Sequence, residues 1–418
     1  MELVQHRLFK IQDGDSVIIY VPTMRKVYRV EANVAETIPD FVTAPTSTIQ
    51  KEVAEEPNYL FTGATLMLTN QCKLGCIYCF GGYVPRPTET ITMPTEVVRA
   101  TVDHLIKSAR DSGKRKVGAW MFGGEPTLPW TTLVGAVQYL HAQASEQGLE
   151  SSAGITTNGC MSSQKARWLA ENMDNILLSV DGPKDIHDAQ RGKSFDRVFD
   201  AATEIYQIAP HKLRFRSTIS AASVHRLTEM VRFFGERFPG CVQTYEPLFA
   251  MGRAKVNPLA QPPVDSLFLG KFTEASEVAK TLNVSIRTSL AQAWRTTGSA
   301  FCGAAGKNFT ITYDGRVVSC HRMAGVGAND AALLFCFGQY DPKQQAFVFD
   351  ADRYRHLRQF NVRSIPDCQN CFAQFGCKGD CPANKAEVSP EAFWKERSYR
   401  CEAIREFSKN LLRHILDH

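Results

Sequence analysis

From Thr65 onward, short apolar runs alternate with stretches whose apolar residues recur every three or four positions. Segments 65–69, 117–122, 154–157, 176–180, 213–219 and 242–245 have the length and composition of strands. Between them, 95–109 carries Val98, Val102, Leu105 and Ile106 at helical spacing, and 133–144, 164–172, 198–208 and 224–234 follow the same pattern. Six strands alternating with five helices predict an α/β fold of parallel strands and crossover helices. Chemistry in such folds gathers at the C-terminal ends of the strands, where the unusual motifs of this region lie. Before this block, 8–11, 16–21 and 26–30 read as strands, with Asp13-Gly14-Asp15 as a turn, and 31–41 reads as a helix. Segment 43–56 is polar, contains Pro45 and reads as a linker. This piece is either a hairpin packed on the main body or a docking module. Beyond residue 300 the alternation breaks into short aromatic-rich pieces between cysteines and glycines. A final amphipathic helix is expected over 390–416, with Ile404, Phe407, Leu411 and Ile415 on one face.

Composition narrows the class. A chain of 418 residues that is 44% hydrophobic and 22% charged can bury a core in two or three domains. Collagen-like, mucin-like and disordered chains are excluded. A net charge of +5 is mild for this length and does not call for nucleic acid. The start, Met-Glu-Leu-Val-Gln-His, lacks the basic-then-apolar order of a signal peptide, and no apolar run is long enough to span a membrane. A cytoplasmic protein with reduced thiols and no membrane partner is expected. Its 13 cysteines are an odd number that does not suit a fully paired disulfide scaffold. Their bunching points to metal or redox chemistry.

Cys72, Cys76 and Cys79 form a tight triplet. Three thiolates can hold three irons of a cubane and leave the fourth iron open to an external ligand. A zinc site completed by a distant residue is the other reading. After the second strand comes Gly123-Gly124-Glu125-Pro126-Thr127, two glycines that permit close backbone approach followed by a carboxylate suited to an amine.

These two motifs together resemble the radical S-adenosylmethionine (SAM) superfamily. The triplet has the signature spacing of three and two intervening residues. Ile176–Pro183, followed by His187 and Arg191, is also similar to that superfamily. The resemblance covers about 65–253 and implies a partial (β/α)6 radical SAM barrel. It implies that Cys72, Cys76 and Cys79 bind a 4Fe-4S cluster, and that Gly123, Gly124, Glu125 and Pro126 hold the SAM methionine. Ser179 and Asp181 would face the ribose, Arg191 the carboxylate end, and Tyr78 the adenine. Thr157 and Asn158, at the third strand end, are further SAM-binding candidates. The plain alternatives are core packing for Tyr78 and a surface salt bridge for Arg191. The implied chemistry is reductive cleavage of SAM to a 5′-deoxyadenosyl radical that abstracts a substrate hydrogen.

The C-terminal series resembles the SPASM extension of this superfamily: Cys302, twelve residues, Gly315, four residues, Cys320, then Cys368, Cys371, Cys377, Cys381 and Cys401. The resemblance implies three 4Fe-4S clusters in all, one binding SAM and two auxiliary. Cys302, Cys320 and Cys381 would hold the first auxiliary cluster, and Cys368, Cys371, Cys377 and Cys401 the second. The first set is one ligand short. Cys336, Cys241, His321, solvent or a substrate thiolate can complete it. Cys160, Cys241 and Cys336 otherwise read as buried, inert thiols.

The expected organisation is a strand-rich N-terminal module with its linker (1–60), a radical SAM core (61–300) and a cysteine-rich SPASM domain (301–418). Cys320-His321-Arg322 followed by Phe337-Gly338 resembles maturases that join cysteine to carbon in ribosomal peptides. Sulfatase-maturing relatives have an acidic base where His321 stands here. The N-terminal piece resembles a shortened peptide-recognition module that docks a leader by strand addition. The expected function is therefore thioether formation, of the ranthipeptide type, in a precursor peptide. His321 and Cys336 are the candidate catalytic residues, and a flavodoxin- or ferredoxin-type protein is the electron donor. The alternatives are C–C cyclophane formation, epimerisation, anaerobic sulfatase maturation and, from another class, a non-catalytic zinc protein associated with nucleic acid.

Overall fold

The computed structural model describes residues 3–45, 58–81, 89–292, 298–324 and 330–417. The chain separates into two compact units, one comprising 1–56, 289–302 and 359–418, the other 57–288 and 303–358. Most of the linker expected at 43–56 lies outside the described residues.

In the first unit, strands β2 (Phe9–Asp13), β3 (Ser16–Val21) and β4 (Lys26–Glu31) form an antiparallel meander. Strand β1 (Leu3–Arg7) pairs with β5 (Phe41–Pro45), and helix α1 (Ala32–Thr37) lies between β4 and β5. The pattern did not reveal β1 or β5, because Thr43 and Pro45 read as linker, and the helix expected over 31–41 stops at Thr37, where Ile38 turns extended ahead of Pro39. Strand alternation gives the meander two apolar faces. Leu8, Val17, Ile19 and Val21 pack with Ala35. Ile11, Ile18 and Tyr20 pack with Leu412 of the terminal helix, Cys401–Asp417. Arg29 reaches Asp417 at 2.8 Å, and Arg413 reaches Asp13 at 2.5 Å, at the edge of the same contact. The terminal helix begins at Cys401 rather than near 390, because Ser398 and Arg400 are drawn into bonds with Asp380.

The second unit is built on an eleven-stranded sheet. Its parallel part runs in chain order through β6 (Gly63–Met67), β7 (Lys116–Phe122), β8 (Glu150–Thr157), β9 (Asn175–Ser179), β10 (Leu213–Ile219), β11 (Val242–Pro247) and β12 (Ser285–Arg287). Beyond β6, β13 (Phe309–Ile311) adds in parallel, and β14 (Arg316–Val318), β15 (Cys336–Asp341) and β16 (Ala346–Phe349) continue antiparallel. The crossovers are α2 (Thr95–Asp111), α3 (Trp130–Glu146), α4 (Ser163–Asn172), α5 (Lys184–Arg191) with α6 (Phe195–Ile208), α7 (Leu227–Arg237) and α8 (Asp265–Thr281). The first six strands and their helices are the expected (β/α)6 partial barrel. Helices α5 and α8 and strand β12 go beyond the expected pattern. The strands have two unlike faces. In β7, Val117, Ala119 and Met121 are buried while Gly118, Trp120 and Phe122 are half-buried. In β10, Leu213, Phe215, Ser217 and Ile219 are buried, and Phe215 stacks on Phe234 of α7 at 4.6 Å. The fully buried set therefore faces the helices, and the half-buried set lines the inner face. Among the described residues, no helix is long and apolar enough to cross a membrane.

Candidate active site

The cysteine triplet sits in the loop after β6, held by the neighbouring strand ends. The backbone N–H of Gly124 donates to the Thr69 carbonyl at 2.7 Å, and that of Glu125 to the Gln71 carbonyl at 2.8 Å. A Cβ on Gly123 would stand 2.5 Å from the Thr69 oxygen, and one on Gly124 would stand 2.3 Å from the Gln71 oxygen. What the two glycines approach closely is the backbone leading into the cysteines. On the other side, Gly252, at φ +56, is pressed against the Cys79 carbonyl. Arg253 donates its backbone N–H to the Cys79 carbonyl at 3.1 Å and its guanidinium to the Cys76 carbonyl at 3.0 Å. The helical-spacing pattern did not single out this Gly-Arg pair.

Glu125 is buried at 2% exposure. Its carboxylate accepts from the Thr127 backbone at 3.1 Å, the Thr127 hydroxyl at 2.7 Å, the Thr157 hydroxyl at 2.6 Å and the Asn158 backbone at 2.7 Å. Burial raises its pKa and the four donors oppose that shift. Glu125 thus ties the end of β7 to the end of β8. Asn158, so fixed, points its side-chain N–H at the Cys72 sulfur, 3.6 Å away.

A second knot joins the end of β9 to α5 and to the cysteine loop. Asp181 is fully buried. One oxygen accepts from Tyr78, from Gln190 at 2.9 Å and from Arg191 Nε at 2.9 Å; the other accepts from Arg191 at 3.1 Å and from the Thr218 backbone at 2.9 Å. The Arg191 guanidinium also lies 5.3 Å from the Tyr78 ring centre. Burial works against the Arg191 charge, but Asp181 more than offsets it and raises the pKa. Burial holds the Tyr78 hydroxyl well above the usual phenol range. Arg191 is thus in a buried ion pair rather than a surface salt bridge. The imidazole of His187 accepts from the Asp181 backbone at 3.3 Å and bonds the Ser194 hydroxyl at 2.9 Å. Burial first, then Arg191, lower its pKa to about 4. Ser179 is half-buried at the end of β9 on the inner face. Pro126 lies in the turn that Glu125 anchors, and Gln190 and Thr127 join the predicted residues as parts of the two knots.

The residues present suit a cluster and SAM. Burial raises the pKa of both Cys72 and Cys76, that of Cys76 to about 12, and each also feels Cys79. Three thiols within one another's field, with a side-chain N–H aimed at one of them, are a set of soft ligands for iron. Among the described residues, no three His, Cys, Asp or Glu side chains converge on a position for one ion.

Cys368, Cys371, Cys377 and Cys401 all lie in the first unit. Burial raises Cys368, to about 11, and Cys401; Cys371 and Cys401 act on the charge at Cys368, Cys368 and Cys401 on that at Cys377, and Cys371 on that at Cys401. Lys378, Gly379 and Asp380 follow with φ of 55°, 82° and 64°, reversing the chain directly after Cys377. Buried Asp380 accepts from the Ser398 hydroxyl at 2.6 Å and lies 3.9 Å from Arg400, which sets the approach to Cys401. Of the other proposed set, Cys302 is exposed and Cys381 half-buried in the first unit, and Cys320 is buried in the second.

His321 follows Cys320, with its ring 4.8 Å from that of Phe122 and 5.8 Å from that of Phe80. Burial, then Arg216 and Arg322, lower its pKa to about 3, so it is a neutral imidazole. Cys336 opens β15 and packs with Met67, Tyr313, Val318 and Ala324. Cys241 is buried beside Phe234 on the helix side of the sheet, and burial raises it to about 11. Cys160 is half-buried next to Asn158, whose side-chain oxygen accepts its backbone N–H at 2.8 Å.

Residues 66–211 match the Radical SAM superfamily, and this part of the chain is a radical SAM domain. Such a domain uses SAM and a 4Fe-4S cluster. Among curated proteins, the cysteine-type anaerobic sulfatase-maturating enzyme of Clostridium perfringens is 22% identical over 355 residues, spanning 80% of this chain and 92% of that protein. Native anSMEcpe, solved with bound AdoMet and a peptide, is similar with a TM-score of 0.65 and 18% identity, covering 84% of this chain and 98% of that one. Streptococcus suis SuiB, solved with its precursor peptide SuiA, is similar with a TM-score of 0.56 and 13% identity, covering 96% and 100%. These likenesses show a shared fold. The chain is a radical SAM enzyme related to anaerobic sulfatase maturases. The non-catalytic zinc protein considered from the sequence is thereby set aside.

Proposed function

We propose that this enzyme matures a ribosomally made peptide, forming thioether links from cysteine to carbon with the help of two auxiliary 4Fe-4S clusters. The observation that carries the proposal is the gathering of Cys368, Cys371, Cys377 and Cys401 in one mutual field, in a chain that also holds a radical SAM domain. Cys302, Cys320 and Cys381 serve the other auxiliary cluster. A division into an N-terminal module (1–60), a radical SAM core (61–300) and an auxiliary-cluster domain (301–418) describes the functional parts. The substrate is a precursor peptide, as in the SuiB complex with SuiA, and electrons come from a flavodoxin- or ferredoxin-type donor.

Cys72, Cys76 and Cys79 hold the first cluster. Tyr78, Glu125, Asn158, Ser179, Asp181 and Arg191 shape the SAM site, with Gly123, Gly124, Pro126 and Thr157 fixing its walls. Bound there, cluster and SAM supply a carbon radical able to take a hydrogen atom. The chain itself orients these groups through the Glu125 and Asp181 knots and keeps His321 an uncharged imidazole beside Phe122 and Phe80. Anaerobic sulfatase maturation is the second reading, supported by the relative from Clostridium perfringens. His321, in place of an acid beside Cys320, favours the first. The test is mass spectrometry of cysteine-containing precursor peptides after incubation with enzyme, SAM and reductant. Thioether formation removes one S–H and one C–H hydrogen and leaves sulfur in the peptide with no alkylatable thiol. Loss of the sulfur with formation of an aldehyde would instead establish the sulfatase-type reaction.

A further inference from the structure

Two arginines of β10 lie outside everything assigned so far. Arg214 and Arg216 alternate with buried Leu213, Phe215 and Ser217, so both guanidinium groups belong to the inner face of the sheet. Arg216 stands at the level of Ser179 on β9 and Thr244 on β11, and Arg214 at the level of Leu177 and Val242. None of these directly paired neighbours is acidic; the inner-face carboxylate next along β11 is Glu246, at the level of Thr218. Among the described residues, neither arginine has a carboxylate within ion-pair distance. The Nε of Arg214 is shut off from solvent without an acceptor. A buried guanidinium N–H left without an acceptor is destabilising, so an anion bound at this position would relieve that cost. The opposite part of the inner face is apolar. Trp120 lies over Gly154, where a Cβ would meet its ring at 2.2 Å, and its indole N–H donates to Thr156 at 2.8 Å. Phe122 packs against His321, whose imidazole in turn feels the charge of Arg216. The arginines therefore belong to the same inner face as Trp120, Phe122 and Ser179, with Arg216 at the level of the β9 end and Arg214 one step below it.

We propose that Arg214 and Arg216 form a carboxylate subsite for the substrate: the peptide presents an aspartate or glutamate side chain to this pair, and that ion pair sets which residue lies at the reacting position. The proposal rests on the peptide-maturation reading. Arginine is the side chain best suited to it, since its planar fork matches a carboxylate with two parallel hydrogen bonds.

The test uses reconstituted holoenzyme with SAM under anaerobic conditions. The probes are N-acetyl-glutamate amide and its neutral isostere N-acetyl-glutamine amide, titrated by calorimetry. The glutamate probe is expected to bind at least about tenfold more tightly, about 1.4 kcal/mol. R214Q and R216Q each reduce that preference and the double variant abolishes it, while R216K retains part of it. SAM affinity, measured without probe, is unchanged. Equal binding of the two probes by wild type overturns the proposal, as does a preference that survives in the double variant. A loss of SAM affinity that matches the loss of probe binding also overturns it, because the arginines would then serve the cofactor. A wild type that prefers glutamate yet modifies no peptide would sink the maturation reading and leave the subsite standing.

Discussion

The two groups of cysteines are held by different means. Cys72, Cys76 and Cys79 lie on a loop whose backbone is pinned from both sides, by the end of β7 and by the Gly252–Arg253 turn that follows β11, on a sheet with a large apolar core. Cys368, Cys371, Cys377 and Cys401 lie among short turns, three successive left-handed residues and a buried Asp380–Arg400 pair. The first loop is shaped by the fold before any iron arrives. The second packs on a smaller apolar set (Phe360 stacked on Phe393, with Val362 and Ile365) and has no sheet beneath its cysteines, so cluster binding carries a larger share of its folding free energy.

Replacing Cys72, Cys76 and Cys79 by Ala sharpens this contrast most. SAM cleavage, followed as 5′-deoxyadenosine by chromatography, falls to background while circular dichroism and thermal unfolding of the sheet stay near wild type. Replacing Cys368, Cys371, Cys377 and Cys401 by Ala gives the opposite pattern. About four irons are lost, and limited proteolysis cuts segment 359–400 rapidly while the sheet unit resists. Equal protease resistance with and without the cluster would break the comparison.

Smaller changes probe the knots. Asp181→Asn removes the charge that pairs with buried Arg191, and chemical denaturation is expected to show a loss of about 3–5 kcal/mol with weakened SAM binding. Gly124→Ala places a methyl against the Gln71 carbonyl; the cysteine loop shifts, at a cost of about 1–3 kcal/mol, and reconstitution yields less of the SAM-binding cluster than in wild type. The smallest effect is that of His187. Its folded pKa of about 4 lies below the ordinary 6.5, so the unfolded chain takes up the proton first. Its contribution to stability is complete above about pH 6.5 and falls toward pH 4, by at most about 1.4 kcal/mol per pH unit. His187→Gln removes that slope, as read from urea midpoints between about pH 6.5 and 5.

What could be seen from the chain alone follows the same division. Strands β6–β11 and their main helices were legible because alternation and helical spacing are local properties. The cysteines and the residues Tyr78, Asp181 and Arg191 were legible because their motifs are short. The mutual bonding of those three was not, since Asp181 meets Tyr78 across 103 residues. Nor was the role of Gly123 and Gly124, which depends on a neighbouring strand end. Strands β1 and β5 were missed because they pair with each other across the whole N-terminal module. In β10, the alternation of arginines with apolar residues was visible, but only the sheet shows that those arginines face inward.

The most direct test of the account is the iron and sulfide content of the anaerobically reconstituted chain, measured together with reductive SAM cleavage. Three clusters predict about twelve irons per chain, with cleavage lost only when the first triplet is removed. About four irons per chain, with cleavage intact and the cysteines of 368–401 binding none, would contradict it.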